Sequence, residues 1–420
     1  MRARVLAATT LVALLVTGAP APADAAPPVT AAGAAVPCPR LPAPKVTRPP
    51  RPTPPPSVPE QRAVGGEALA TEGLTTPPGS PAPPAVTATT WLVADLDTGA
   101  VLGACGPHEY GTPASTQKLL LAATLLPRID PKQVATATRA DLDIERGSSA
   151  VGLLVGGRYA VETLWLGLLL QSGNDAANML ARLGAGSARA GVAQMNAEAH
   201  RLGALQTHAV TPSGLDGPGQ FTSAYDLALI ARACFADERF RRYALTERAQ
   251  IPAQPTLKAG GFQIQNENQL IYRYPGALGG KTGFTELARH SYVGAAQRGG
   301  RRLVVTLLGA EARPVRGWQQ GAQLLDWGFS LPRDASVGRL VEPGELDTEP
   351  AAPSGSPAAV RPTPPAQWRG PAGTALRRMA DGDWRVILPT AGLLALVVGG
   401  LAAVLAARRG RSRGVGRRRA

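Results

Sequence analysis

Two lysines stand beside hydroxyl side chains in a chain that carries most of its positive charge on arginine. Lys118 follows Ser115 by three residues, and Lys281 is followed directly by Thr282. Only five lysines occur among the 420 residues. A lysine amine can lose its proton and act as a base, whereas an arginine guanidinium cannot. The pattern indicates a site in which a neutral amine activates a serine.

The first motif is the pair Ser115 and Lys118, at the start of an apolar run predicted to be helical over 115–126. Backbone N–H groups in the first turn of a helix favour developing negative charge. Lys118 lies on the same helical face, within reach of the Ser115 hydroxyl, which needs an adjacent base to become a nucleophile. Burial and a second cation, Lys281, would lower the pKa of Lys118. Alone, the motif would also fit an ordinary surface pair.

The second motif is the turn Ser172-Gly173-Asn174, between predicted helices at 161–170 and 175–183. Such a turn between buried helices can project side chains into a cleft. Ser172 could relay a proton towards a leaving group, and Asn174 could hold Lys118 or a substrate carbonyl. The alternative is a capping turn, in which the same residue types are common.

The third motif, Gly279 to Gly283, is predicted to lie on an edge strand. Its glycines leave room for another backbone to approach, while Lys281 and Thr282 would offer an ammonium and a hydroxyl to a substrate carboxylate. The alternative is a glycine-rich turn. The three motifs occur in one order within one predicted domain, and this conjunction favours a catalytic site.

The elements that must position these motifs begin and end with strands. Hairpins are predicted at 90–102 and 288–308, with helices between them and a last helix at 315–329. The intervening helices are predicted at 115–126, 161–170, 175–183, 188–202 and 223–235, with Ser187 and either Thr222 or Ser223 as N-caps and Gly203 as a C-cap. The pattern predicts an α/β (α+β) fold in which an antiparallel sheet pairs its first and last strands beneath helices.

The ends of the chain predict export and anchoring. Residues 1–25 have the layout of a signal peptide, and 384–407 form an apolar run long enough to span a membrane. The arginines of the tail 408–420 place that tail in the cytoplasm and the rest of the mature chain outside. Nine arginines in the signal and tail contribute to the formal charge of +14, so the charge does not indicate a nucleic-acid partner.

Between the ends we expect one folded domain and two linkers. Residues 26–86 are rich in proline and alanine and are predicted to be an extended linker, as is the low-complexity stretch 344–383. The domain itself covers 87–343. Three cysteines remain, at 38, 105 and 234. In an oxidising compartment a Cys105–Cys234 disulfide is a reasonable hypothesis, with Cys38 unpaired, against the alternative of two buried free thiols.

The chain resembles the penicillin-binding D-alanyl-D-alanine carboxypeptidases, low-molecular-mass serine peptidases that trim peptidoglycan stem peptides. The resemblance covers about residues 90–328. It includes Pro-Ala-Ser-Thr-Gln-Lys at 113–118, Ser-Gly-Asn-Asp-Ala at 172–176, Thr-Pro-Ser-Gly-Leu at 211–215, Ser-Ala-Tyr-Asp-Leu-Ala at 223–228, Lys-Thr-Gly-Phe-Thr at 281–285 and Trp-Gly-Phe at 327–329.

The resemblance implies roles for the motif residues. Ser115 would be the acylated nucleophile and Lys118 its general base, while Ser172 and Asn174 would line the cleft. Substrate would be bound by Lys281, Thr282, Gly283 and Phe284. The backbone N–H groups of Ser115 and Phe284 would form an oxyanion hole. Arg316 would be a ligand of the substrate carboxylate. The implied ligands are stem peptides and β-lactams, with no cofactor and no metal.

Two departures from the family pattern stand out. Ala288 is followed by Arg289, where family members usually have glycine, so a bulky cation stands at the start of a strand. Many members also carry a β-rich C-terminal domain, whereas only a short stretch, a linker and the predicted membrane helix follow Trp327 here.

The sequence also bears on three other functions. A class A β-lactamase uses a glutamate after the middle motif for deacylation. Residues 199–217 contain no glutamate, so fast turnover of β-lactams is disfavoured. A wall-binding or β-lactam-sensing module without catalysis stays open. A zinc peptidase is rejected, because the four histidines, at 108, 200, 208 and 290, show no metal-ligand spacing with acidic residues.

Overall fold

The computed structural model describes residues 35–347 of the chain. Their helices are α1 (Pro59–Arg62), α2 (Lys118–Leu125), α3 (Val161–Leu170), α4 (Asn174–Ala185), α5 (Ala188–Arg201), α6 (Ala224–Ala236), α7 (Glu238–Leu245), α8 (Leu270–Arg273) and α9 (Gly317–Ser330). Their strands are β1 (Leu74–Thr75), β2 (Thr90–Asp95), β3 (Ala100–Cys105), β4 (Val134–Thr136), β5 (Arg158–Ala160), β6 (Arg248–Ile251), β7 (Phe262–Gln265), β8 (Ala277–Thr285), β9 (Arg289–Arg298), β10 (Arg301–Ala310) and β11 (Gly338–Arg339).

The central element is an antiparallel sheet in the order β1-β3-β2-β10-β9-β8, with β11 also paired to β3. The two predicted hairpins are β2–β3 and β9–β10. The predicted closure is confirmed, because β2 pairs with β10 in a register that sets Val93 opposite Val305. The sheet therefore joins chain segments about 200 residues apart, and β8 lies at its end.

Both faces of the sheet are buried. Side chains alternate between the faces of a strand, so neighbours on β2 enter different cores. Trp91 and Val93 pack in the core beneath α9, whereas Leu92 and Ala94 pack in the larger core formed with α2 to α6. The fold is thus three layers, with the motif-bearing helices on one side of the sheet.

The helices between the hairpins agree with the sequence predictions to within a few residues, and α3 agrees at both ends. The predicted caps are present: Ser187 accepts a hydrogen bond from the Ala190 N–H, and Ser223 accepts one from that of Asp226. Gly203 follows α5 with a positive φ of 78°. Helix α7, only eight residues long, was not predicted.

The prediction of an extended linker over 26–86 is wrong where the described residues pack on the domain, although 41–58 contain no helix or strand. Strand β1 adds to the sheet beside β3, and Leu69 is fully buried. The guanidinium of Arg40 donates to the carbonyls of Ala88 and Thr89 at 2.8 and 2.9 Å. A segment poor in large apolar residues cannot form a hydrophobic core of its own. Single side chains of such a segment can still pack against the core of the neighbouring domain.

The predicted Cys105–Cys234 disulfide is also wrong. Cys38 is bonded to Cys105 on β3, and Cys234 is a buried free thiol. Cys234 lies on α6, where its Sγ donates to the Leu119 carbonyl at 3.1 Å. Cys38 reaches Cys105 because its segment is held against the domain, where the Leu74 N–H of β1, the neighbour of β3, donates to the Val36 carbonyl at 2.7 Å.

None of the helices within 35–347 has the length and apolar character needed to cross a membrane. The predicted signal peptide 1–25, membrane helix 384–407 and tail 408–420 lie outside the described residues. So does the predicted linker 344–383 from residue 348 onwards.

Candidate active site

Ser115 lies in a single 3-10 turn, Ala114–Gln117, that leads directly into α2. The turn is reached through a left-handed residue, Ala114, with φ of 48°. Gly214 packs against it so closely that a Cβ at Gly214 would lie 1.9 Å from the Ala114 carbonyl oxygen. Only glycine fits there, and this contact fixes the backbone immediately before the serine.

Lys118 is fully buried beneath Ser115, with its Nζ 2.8 Å from the Ser115 Oγ. The same Nζ donates to Asn174 Oδ1 at 2.7 Å and to the Ser213 carbonyl at 2.8 Å. A neutral amine has two N–H donors and one lone pair. Because the amide and carbonyl oxygens can only accept, they take both donors. The lone pair of a neutral Lys118 is therefore left for the Ser115 hydroxyl.

The electrostatic setting favours that neutral form. Burial lowers the pKa of Lys118 well below its usual value, and the charge of Lys281 lowers it further, against weaker opposing effects of Asp175 and Glu267. Burial also lowers the pKa of Lys281, to about 8. The structure thus supplies both influences expected from the sequence, with burial the larger one.

The turn at 172–174 brings the second motif to the same place. Ser172 adopts a positive φ of 61°, and its buried Oγ has no hydrogen-bond partner among the described residues. Asn174 begins α4 and reaches Lys118. An unpaired hydroxyl in a cleft costs free energy unless a ligand or water satisfies it, so Ser172 is arranged to meet one.

The third motif lies on β8, against the turn that carries Ser115. A Cβ at Gly283 would lie 2.8 Å from the Ser115 backbone nitrogen and 2.3 Å from Ser291 Oγ, so the close approach predicted for this glycine is present. Lys281 is buried and donates to the Thr282 carbonyl at 2.7 Å. From this buried position Lys281 acts on Lys118 through its charge, while Thr282 lies at the cleft surface.

A cleft of about 700 Å³ surrounds Ser115. Six of the residues predicted for the site line it: Ser115, Ser172, Asn174, Thr282, Gly283 and Phe284. Lys118 and Lys281 are buried and are not among the residues that line it. The volume is that of a site for a small molecule or an extended peptide.

Arg316 and Arg289 are placed differently from the other site residues. Arg316 is exposed at the N-cap of α9 and is not among the residues lining the cleft, although a Cβ at its neighbour Gly317 would lie 4.0 Å from the Cβ of cleft residue His290. Its role as a carboxylate ligand stays a prediction. Arg289 forms two hydrogen bonds of 3.0 Å with Glu311 and lies over the Phe284 ring.

Several residues of the site were not predicted. Ser213 contributes only a backbone carbonyl, and the available signal was the family-like segment Thr-Pro-Ser-Gly-Leu at 211–215. Asp175 accepts from the backbone N–H groups of Val151, Gly152 and Leu153, and so holds the loop that forms one wall of the cleft. Its place directly after the middle motif was the available signal. Other cleft residues are Pro49, Glu145, Arg146, Asp216 and Glu267.

Comparison with known proteins is consistent with this arrangement. A family model described as D-alanyl-D-alanine carboxypeptidase matches residues 78–312. The D-alanyl-D-alanine carboxypeptidase DacB2 of Mycobacterium tuberculosis is 46% identical over 269 residues, which cover 63% of this chain and 90% of DacB2.

Solved structures show the same likeness. The crystal structure of a D-alanyl-D-alanine carboxypeptidase from Mycobacterium tuberculosis H37Rv matches with a TM-score of 0.60 and 45% identity, covering 63% of this chain and all of that one. The crystal structure of the Streptomyces K15 DD-transpeptidase matches with a TM-score of 0.56 and 26% identity, over 59% of this chain and 99% of that one.

Proposed function

Because the chain belongs to the D-alanyl-D-alanine carboxypeptidase family, a family of serine-type hydrolases, we propose that it removes the terminal D-alanine from peptidoglycan stem pentapeptides. The reaction passes through an acyl-enzyme on Ser115, and penicillin acylates the same serine. The observation that carries the proposal is the 2.8 Å contact between Lys118 Nζ and Ser115 Oγ, made by a lysine whose other two partners only accept hydrogen bonds.

Acylation begins with transfer of the Ser115 proton to neutral Lys118. The Oγ attacks the carbonyl carbon of the penultimate D-alanine, and the resulting oxyanion is bound by the backbone N–H groups of Ser115 and Phe284. One such donor is worth ~3 kcal/mol of transition-state stabilisation. The C–N bond then breaks as the leaving amine takes a proton from the Lys118 ammonium through the hydroxyl of Ser172.

Deacylation repeats these steps with water as the nucleophile. Lys118, neutral again after the leaving amine departs, accepts the proton of a water molecule that attacks the ester carbonyl of Ser115. A β-lactam amine stays tethered to the acyl group after ring opening, so it continues to obstruct the path of that water. The proposal therefore predicts a long-lived penicillin adduct and rapid turnover of a peptide.

The terminal carboxylate of the substrate binds beside β8. Thr282 supplies a hydroxyl at the cleft surface, and the buried Lys281 supplies positive charge. This division fits the hydrogen bond that already holds Lys281 on the Thr282 carbonyl. Arg316 is a further ligand in this proposal if α9 brings it towards His290 when substrate binds.

The test pairs two assays on the purified full-length chain in detergent. Labelled penicillin should form a stable adduct on Ser115, found by peptide mass mapping, and a pentapeptide ending in D-Ala-D-Ala should release D-alanine. Ser115→Ala should abolish both, whereas the exposed cap variant Ser187→Ala should retain both. An adduct without D-alanine release would favour the sensing module, and rapid hydrolysis of penicillin would favour a β-lactamase.

We propose in addition that the catalytic domain lies on the outer face of the cell membrane. The signal-like residues 1–25 and the apolar run 384–407, followed by arginines, support this placement. Protease added to intact spheroplasts should then digest the domain and leave a protected fragment containing the tail 408–420. Full protection of the domain would contradict the proposed topology.

A further inference from the structure

We propose that residues 42–58, named here the strap, form an outer wall of the cleft around Ser115 that selects ligands by size, with Arg48 as the residue that positions it. The inference rests on the proposed function, since it concerns which ligands reach the same serine. It assigns a role in specificity to a segment whose composition predicts only an extended tether.

The strap is fixed to the domain at its N-terminal end. Cys38 is bonded to Cys105 of β3, and the Leu41 N–H donates to the Val86 carbonyl at 3.0 Å. Arg40 adds its two hydrogen bonds to the start of β2. At the C-terminal end, α1 follows, and Arg62 pairs with Glu109 at 2.7 Å. Both ends are therefore held on the catalytic domain.

The middle of the strap is held by a carboxylate shared between two arginines. Arg48 donates to Glu311 Oε1 at 2.7 Å, and Arg289 donates to both oxygens of the same carboxylate at 3.0 Å. The Glu311 side chain is only 4% exposed, whereas that of Arg48 is 27% exposed. Because Glu311 keeps Arg289 as a partner, loss of Arg48 does not leave a buried charge unpaired. Arg48 can thus be removed without disturbing the domain beneath it.

The contact at Arg48 brings the strap to the active site. Pro49, the next residue, lines the cleft together with Ser115, Phe284 and His290. Arg289, which shares Glu311 with Arg48, lies over the ring of Phe284, and this ring lies 4.7 Å from that of His290. The strap and the outer end of β8 are therefore linked through one set of contacts.

The composition of the strap suits a wall. Proline has a fixed φ and no N–H, so a proline-rich chain stays extended without internal hydrogen bonds and loses little conformational entropy when it is held. Such a segment can restrict space without closing over the serine. We therefore expect a single unbranched stem peptide to enter freely, and bulky ligands such as cross-linked peptides to meet the strap.

The test compares Arg48→Ala with Arg51→Ala, a matched control in the same segment whose arginine has no ion pair among the described contacts. The full-length protein in detergent is treated with benzylpenicillin and with a penicillin that carries a bulky fluorophore. Arg48→Ala should raise the acylation rate constant for the bulky ligand relative to benzylpenicillin roughly two- to fivefold, because a partly exposed ion pair contributes at most about 1 kcal/mol. Arg51→Ala should leave the ratio of the two rate constants at its wild-type value. Arg48→Lys keeps the positive charge, so its ratio should stay close to that of the wild type.

The peptide substrates give a second readout. Arg48→Ala should lower KM for a cross-linked dimer while kcat for the pentapeptide stays constant, which a general loss of stability would not produce. The double variant Cys38→Ser/Cys105→Ser, which frees the N-terminal end of the strap, should shift the same ratio in the same direction. If the ratio of the two acylation rate constants is the same in the wild type and in all these variants, while benzylpenicillin adducts form normally, the proposed role of the strap is wrong and the proposed function still stands. Absence of any adduct in the wild type would overturn the proposed function and this inference with it.

Discussion

Asn174 and Lys118 are joined by a hydrogen bond of 2.7 Å that takes one of the two N–H donors of a neutral amine. This bond orients the lysine lone pair towards Ser115. It also makes the electrostatic state of the lysine sensitive to the residue at position 174, because a carboxylate at this distance would favour the ammonium form.

Asn174→Asp should therefore raise the pKa of Lys118 and slow acylation. At pH 7 we expect a loss of roughly 10²-fold in the second-order rate constant with penicillin, recovered as the pH rises and the amine loses its proton. Asn174→Ala removes the acceptor without adding charge. It should therefore slow acylation without moving the acidic limb of the pH–rate profile, where the rate rises as Lys118 loses its proton, to higher pH. Rate profiles from pH 5 to 10 measure both, and coincident limbs in the two variants would contradict this account.

Lys281→Met should change how stability depends on pH. Burial lowers the pKa of Lys281 from 10.5 to about 8, so protonation is disfavoured in the folded protein. The stability that this lysine contributes is complete above pH 10.5 and is lost as the pH falls towards 8. The free energy of unfolding of the variant relative to the wild type should therefore be higher at pH 7 than at pH 10, by on the order of 3 kcal/mol. Denaturant unfolding checks this, with the exposed Lys132→Met as a control that shows no such difference.

Gly283→Ala should impair acylation without unfolding the domain. The added Cβ would meet the backbone nitrogen of Ser115 at 2.8 Å and force the serine turn away from β8. Displacements of this size cost roughly 10²-fold in rate when reacting groups must be aligned. Gly260→Ala is the matched control, because a Cβ there meets nothing within 4 Å. Equal acylation rates in the two variants would show that the close approach is unimportant.

The cysteine pairing predicts a definite thiol count. Without reductant, the native protein should show no thiol that reacts rapidly with Ellman's reagent, because Cys234 is buried and its burial raises the pKa of the thiol. Unfolding without reductant should expose one thiol, and unfolding after reduction and removal of the reductant should expose three. Three thiols in the unreduced, unfolded protein would contradict the Cys38–Cys105 bond.

The parts of the site that could be predicted from sequence depend on short separations along the chain. Ser115 and Lys118 are one helical turn apart, so their contact follows from helix geometry. The caps at Ser187 and Ser223 depend on hydrogen bonds to residues three positions on. In each case the residue types alone carry the required information.

The parts that could not be predicted depend on distant contacts. Nothing local to Cys38 indicates that its partner lies on β3, and composition hides the single buried side chain of Leu69. The carbonyl of Ser213 binds Lys118 through an atom that every residue possesses. The placement of Arg48 beside Glu311 joins residues 263 positions apart. Such contacts are determined by the assembled domain and by no pattern within a segment.

Strand β8 ends its sheet, so its outer edge carries backbone donors and acceptors that β9 does not satisfy. An open strand edge is a hazard in most proteins, because strands from other molecules can add to it and begin aggregation. Here the residues of that edge line the same recess as loop 145–149 and residues 214–216. We expect this enclosure to admit one extended peptide as an additional strand while it excludes a second folded molecule. The walls of the cleft would then prevent aggregation through the open edge of β8, in addition to shaping the binding site.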